Sequence, residues 1–104
     1  MANKPVGDAE QDTGNSLQYT GTVGTTAVAV PSVAGDDIVL FLVRAPSQSP
    51  ITKRLYWSFD NVTYHELSPG EYVGWPLKGS KKQIYVKGNV AGVTYEIVLN
   101  TEAT

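Results

Sequence analysis

The residues that could do chemistry are few. The chain has one histidine, His65, and it stands beside Glu66. Hydrolytic or acid–base catalysis needs paired titratable groups converging on one pocket. Adjacent residues of a strand point to opposite faces, so His65 and Glu66 are poorly placed to cooperate, and a surface histidine is the simpler reading. Asp36, Asp37 and Asp60 could offer oxygen ligands to a hard cation, but nothing else near them has ligand spacing. Loop acids of this kind are ordinarily solvated turn formers. The absence of cysteine excludes a disulfide scaffold and any thiolate metal site. Asn61-Val62-Thr63 matches a glycosylation sequon, which has a mechanism only in a secreted protein. These residues predict no catalytic site, no cofactor and no bound metal. The aromatic residues Tyr56, Tyr64, Tyr72, Trp75 and Tyr85 are the remaining candidates. Aromatic side chains on sheets and loops stack on sugars, anchor protein interfaces, or close the rim of a core.

The bulk properties narrow the partners. A chain of 104 residues makes one domain, and its apolar residues gather in strand-like runs that suit one thin core. Small domains of this kind often gain stability by oligomerising or docking. Net charge is −2, and Lys4, Asp8, Glu10 and Asp12 account for it. The neutral remainder offers no basic footprint for nucleic acid and no polybasic anchor for a membrane. The start, Met1-Ala2-Asn3-Lys4-Pro5-Val6-Gly7-Asp8, lacks the apolar stretch of a secretory signal.

Residues 1–16 are polar and punctuated by Pro5, Gly7 and Gly14, which predicts a flexible N-terminal arm ahead of a single domain over residues 17–104. Residues 17–23 and 25–30 alternate around Gly24 and read as a hairpin ended by Pro31. Residues 38–43 form an unbroken apolar run, read as a strand covered on both faces. If Ile38, Leu40 and Leu42 enter the core, then Val39, Phe41 and Val43 need another cover. Residues 44–52 are a polar linker with Pro46 and Pro50. Leu55, Trp57 and Phe59 share a strand face; Asp60-Asn61 and Pro69-Gly70 are turns. After a basic loop at residues 77–81 come two more alternating segments, in which Ile84 and Val86, and then Val93, Tyr95, Ile97 and Leu99, face one way. The pattern predicts an all-β fold, an antiparallel β-sandwich or jelly-roll-like domain of seven to eight strands.

Ser58-Phe59-Asp60, Leu67-Ser68-Pro69-Gly70-Glu71, Lys82-Gln83-Ile84-Tyr85-Val86-Lys87-Gly88 and Val93-Thr94-Tyr95-Glu96-Ile97-Val98-Leu99-Asn100 together resemble small structural proteins of tailed bacteriophages. The resemblance covers about residues 53–101, and the chain departs from it at Asp60-Asn61-Val62, where an Asp-Gly-Gly turn is more usual. It implies a non-enzymatic virion component assembled in the host cytoplasm: a capsid decoration (cement) protein bound to the major capsid protein lattice, or a head–tail or tail accessory. It also implies a symmetric homo-oligomer, commonly a trimer. The expected interface comprises Val39, Phe41, Val43, Tyr56, Tyr72 and Trp75. The alternative is a carbohydrate-binding β-sandwich module that uses the aromatic face.

Overall fold

A computed structural model describes residues 14–78 and 81–102. Every regular element among them is a strand: β1 (Gly14–Val23), β2 (Val28–Val30), β3 (Ile38–Arg44), β4 (Leu55–Ser58), β5 (His65–Leu67), β6 (Tyr72–Pro76), β7 (Ile84–Gly88) and β8 (Val93–Glu102). They form two four-stranded antiparallel sheets, ordered β1-β8-β3-β6 and β2-β7-β4-β5. The ladders β1–β8, β2–β7, β3–β6 and β4–β5 pair the first strand with the last and so on inward. One long hairpin, with its tip between β4 and β5, is rolled up so that successive pairs fall in alternate sheets. This is the jelly-roll arrangement, and the all-β class expected from the alternation is what forms.

The turns follow from their residues. Gly70 has φ +89° and Glu71 N–H donates to Ser68 O at 2.9 Å, the type II geometry that Pro69-Gly70 specifies. The Ser58-Phe59-Asp60 motif caps its own turn. Ser58 Oγ, fully buried, donates to Asp60 Oδ1 at 2.8 Å and accepts from the Asn61 amide at 2.9 Å. Asp60 Oδ1 accepts the amides of Val62 and Thr63, both at 2.9 Å. Asn61 supplies the positive φ, at 60°, that the turn needs.

Between the sheets lie Phe41, Val43, Leu55, Trp57, Ile84, Val86, Ile97 and Leu99. Phe41 is the hub of the aromatic part, its ring centre 5.3 Å from Trp57, 5.0 Å from Phe59 and 4.6 Å from Trp75. Such tilted and edge-on contacts add to the free energy of burial.

Three expectations are corrected. First, β1 and β2 are not a hairpin: β1 pairs with β8 and β2 with β7, in different sheets. Residues 24–27 cross between the sheets, held by Gly88 N–H donating to Gly24 O at 2.7 Å. Alternation identifies a strand but not its partner. Second, the arm boundary moves. Gly14, Asn15 and Ser16 pair with Glu102, Thr101 and Asn100, because a ladder of backbone hydrogen bonds continues past the last apolar side chain. Residues 1–13 of the expected arm, Gly79 and Ser80 of the basic loop, and residues 103–104 lie outside the described residues.

Third, β3 has the opposite phase from residue 40 onward. Ile38 pairs with Thr101 but Leu40 with Asn100, so the ladder takes up one extra residue at Val39. That β-bulge turns Phe41 and Val43 inward with Ile38, and Leu40 and Leu42 outward. Phe41 and Val43 are therefore core residues, 1% and 0% exposed, and not an interface.

Candidate functional site

The two sheets present two outer faces, and the expected interface residues divide between them and the interior. On the first sheet the cross-strand rows run Tyr72–Arg44–Glu96–Thr20, then Gly74–Leu42–Val98–Gln18, then Pro76–Leu40–Asn100–Ser16. The middle row is apolar on β6, β3 and β8 and polar only at Gln18 on β1. Gly74 is required there: a Cβ would clash with Phe41 O, so only glycine lets β6 lie this close to β3. The missing side chain leaves a groove of about 300 Å³ lined by Leu40, Leu42, Tyr72, Gly74, Val98 and Asn100. Its wall is largely aliphatic. The polar row beside it is neutralised by an ion pair, Arg44 Nη1 to Glu96 Oε1 at 2.8 Å. Tyr72, 68% exposed, stands at the rim. Val39, at the bulge, is also exposed.

The outer face of the second sheet is wetter and tyrosine-rich. Lys87, Tyr56 and Glu66 stand in one cross-strand row; Ala29, Tyr85 and Ser58 stand in the next. Tyr64, just beyond the Asp60 turn, lies against this face with Lys87 Nζ 4.2 Å from its ring centre. Burial raises the Tyr64 hydroxyl above its ordinary pKa, and the nearby Asp60 and Tyr85 add to the effect. Arg54 Nε meets Glu66 Oε2 at 3.2 Å. An open trough of about 410 Å³ runs between Thr25, Tyr56, Tyr64, Lys87, Gly88 and Asn89. This surface can hydrogen-bond and stack.

Trp75 belongs to neither outer face. It sits opposite Phe41, turned inward, and is 44% exposed because β6 is an edge strand. His65, itself exposed, tilts against Trp57 with ring centres 4.8 Å apart, whereas Glu66 faces the other way toward Arg54. The acids are likewise dispersed. Asp37 Oδ1 meets Lys82 Nζ at 2.7 Å, which lowers its pKa, first through that hydrogen bond. Asp60 serves its turn, and the amides of Thr63 and Val62, with the Ser58 hydroxyl, hold its pKa down at about 2. Among the described residues no cluster of three or more His, Asp or Glu could hold a metal ion.

Sequence reasoning missed Gln48, which lies in the proline-serine linker. It is buried, and its side-chain amide pairs with both backbone groups of Thr94. Nε2 donates to Thr94 O at 2.9 Å, and Oε1 accepts the Thr94 amide at 3.1 Å. The side chain continues the β3–β8 ladder past Arg44. The only signal was a long amide in an otherwise small-residue loop.

No family model and no curated protein matches the chain. Among solved structures it is similar to a de novo designed double-stranded beta-helix, determined by solution NMR, with a TM-score of 0.49 and 16% identity. That likeness covers 85% of this chain and 99% of the designed one.

Proposed function

We propose that the protein is a non-enzymatic structural component that works by docking, of the virion decoration type its sequence resembles. The observation that supports this is the apolar groove on the outer face of the first sheet. Leu40, Leu42 and Val98 occupy outward positions that ordinarily carry polar residues in a two-sheet domain with both outer faces in water. Contiguous exposed apolar surface rimmed by polar residues marks interaction sites. Fold alone assigns no function, so the virion partner, the major capsid protein, rests on the sequence resemblance.

Mass spectrometry of particles purified from lysates of the source culture tests this reading. The reading requires the protein in stoichiometric amount in the capsid fraction, and its absence there overturns the virion assignment. Leu42→Asp tests the docking face. The side chain points outward, so folding is retained and particle binding is lost; full binding by the folded variant removes the groove from the mechanism.

A second reading is favoured by the Tyr56–Tyr64–Lys87 trough, which combines stacking surfaces with a cation and hydroxyls. A carbohydrate-binding module would use this face. Retention on immobilised polysaccharide that Tyr56→Ala abolishes, with Leu42→Asp unaffected, would select it over the first.

A further inference from the structure

The four sheet edges are not equivalent. β2 is three residues long and is followed by Pro31. β5 is also three residues long, and two of them, His65 and Glu66, are polar and exposed. β6 is five residues long and ends in Pro76. Short length, charge and proline are the usual means of blocking strand addition. β1 has none of them. It runs for ten residues, Gly-Asn-Ser-Leu-Gln-Tyr-Thr-Gly-Thr-Val, without proline or any charged side chain. Its register with β8 is unbroken from Gly14 to Val23. Among the described residues β8 is its sole strand partner, so alternate residues of β1 turn their N–H and C=O groups away from the sheet.

The side chains point to the same edge. Leu17 and Tyr19 alternate onto the inner face, opposite Leu99 and Ile97. Leu17 is nevertheless 38% exposed, and Tyr19 is only partly covered. Apolar residues of the inner face are thus only partly covered beside the one edge, among the described residues, that lacks such protection.

We infer that β1 pairs antiparallel with β1 of a second copy of this chain about a two-fold axis. A second copy suits this edge because it brings an equally uncharged strand of equal length. Polar Ser16, Gln18, Thr20 and Thr22 meet their like on the outer face; Leu17 and Tyr19 meet their like on the inner one. The preceding residues 1–13 are a poorer occupant, since they carry Lys4, Pro5, Asp8, Glu10 and Asp12. The product is a continuous eight-stranded sheet and a two-fold dimer, which differs from the trimer implied by the phage resemblance. It uses the edge and not the outer groove, so it stands or falls separately from the docking reading.

The chain has no cysteine, so single cysteines can be placed and spin-labelled cleanly. The positions are Ser16→Cys, Gln18→Cys, Thr20→Cys and Thr22→Cys, all exposed. Two-fold antiparallel pairing gives label-to-label distances that pass through a minimum on the axis and grow by about 7 Å for each residue away from it, twice the strand rise. Thr20→Lys places two like charges near the joint and is expected to weaken the dimer at least tenfold in sedimentation, with an unchanged circular dichroism spectrum. A monomer at all concentrations, distances without a minimum along β1, or a dimer indifferent to Thr20→Lys would each overturn the inference. An excess of labelled peptide spanning residues 1–13 that displaces the second copy would reassign the edge to that segment.

Discussion

The two outer faces of the sandwich are built by the same alternation yet present different chemistry. The first sheet turns Leu40, Leu42 and Val98 outward around a notch made by Gly74. The second turns out Tyr56, Tyr85, Lys87 and Glu66, which can stay in water at little cost. A tyrosine has an apolar body and a polar tip, so it tolerates either state. An aliphatic face has no such option and gains by being covered. The difference separates a surface that gains by being covered from one that can stay in water.

The largest test of this contrast compares Phe41 with its neighbour Leu42. Phe41→Ala removes the hub of the buried aromatic cluster and is expected to cost about 3–5 kcal/mol in denaturant unfolding. Leu42→Ala, on the outward side of the same strand, should change stability far less and act on association. Equal losses at the two positions would mean that the bulge at Val39 does not set the phase. Next is Gly74→Ala. Its Cβ meets the β3 backbone, so β6 must shift, with an expected loss of about 1–3 kcal/mol by the same measurement and closure of the groove. Stability that matches wild type would dissolve the account of the notch.

Gln48→Ala leaves the Thr94 amide and carbonyl without partners and should cost about 1–3 kcal/mol; hydrogen exchange at Thr94 reads the opening directly. The smallest effect is acid sensitivity at the tyrosine face. The Asp60 pKa is depressed to about 2 in the folded protein, so its contribution is present above the ordinary carboxylate range near 4. It is lost as pH falls from there through about 2. Thermal melts between pH 5 and 2 should show this drop in wild type and a shallower one in Asp60→Asn.

Much of the fold was legible because it is written locally. Asp60-Asn61 and Pro69-Gly70 fix turns through their own backbone preferences. The alternation of Leu55-Trp57-Phe59 and Val93-Tyr95-Ile97-Leu99 sets inward faces directly. What was not legible depends on distant chain. The bulge exists only in the register of β3 against β8, so the sequence of residues 38–43 alone assigned Phe41 and Val43 to the wrong side. The partner of β1 lies at the far end of the chain, so Gly24 looked like a hairpin turn. Of the site, the aromatic candidates were visible as types. Their division into inner Trp75, groove-lining Tyr72 and trough-lining Tyr56 required the sheets. Gln48 acts through a backbone that its own neighbourhood does not name.

The rolled hairpin also has a kinetic consequence. Its outermost ladder joins Gly14 to Glu102, so the chain must close nearly its whole length before β1 and β8 can zip. Contacts of such wide sequence separation slow folding, because the loop entropy is lost before the contact energy returns. The β4–β5 tip, by contrast, can form early from residues eight to twelve positions apart. Since Gly14 and Glu102 lie side by side, a short linker across them with new ends opened between β4 and β5 would invert that order. The outermost ladder would become the local one, and the tip would become the last to close.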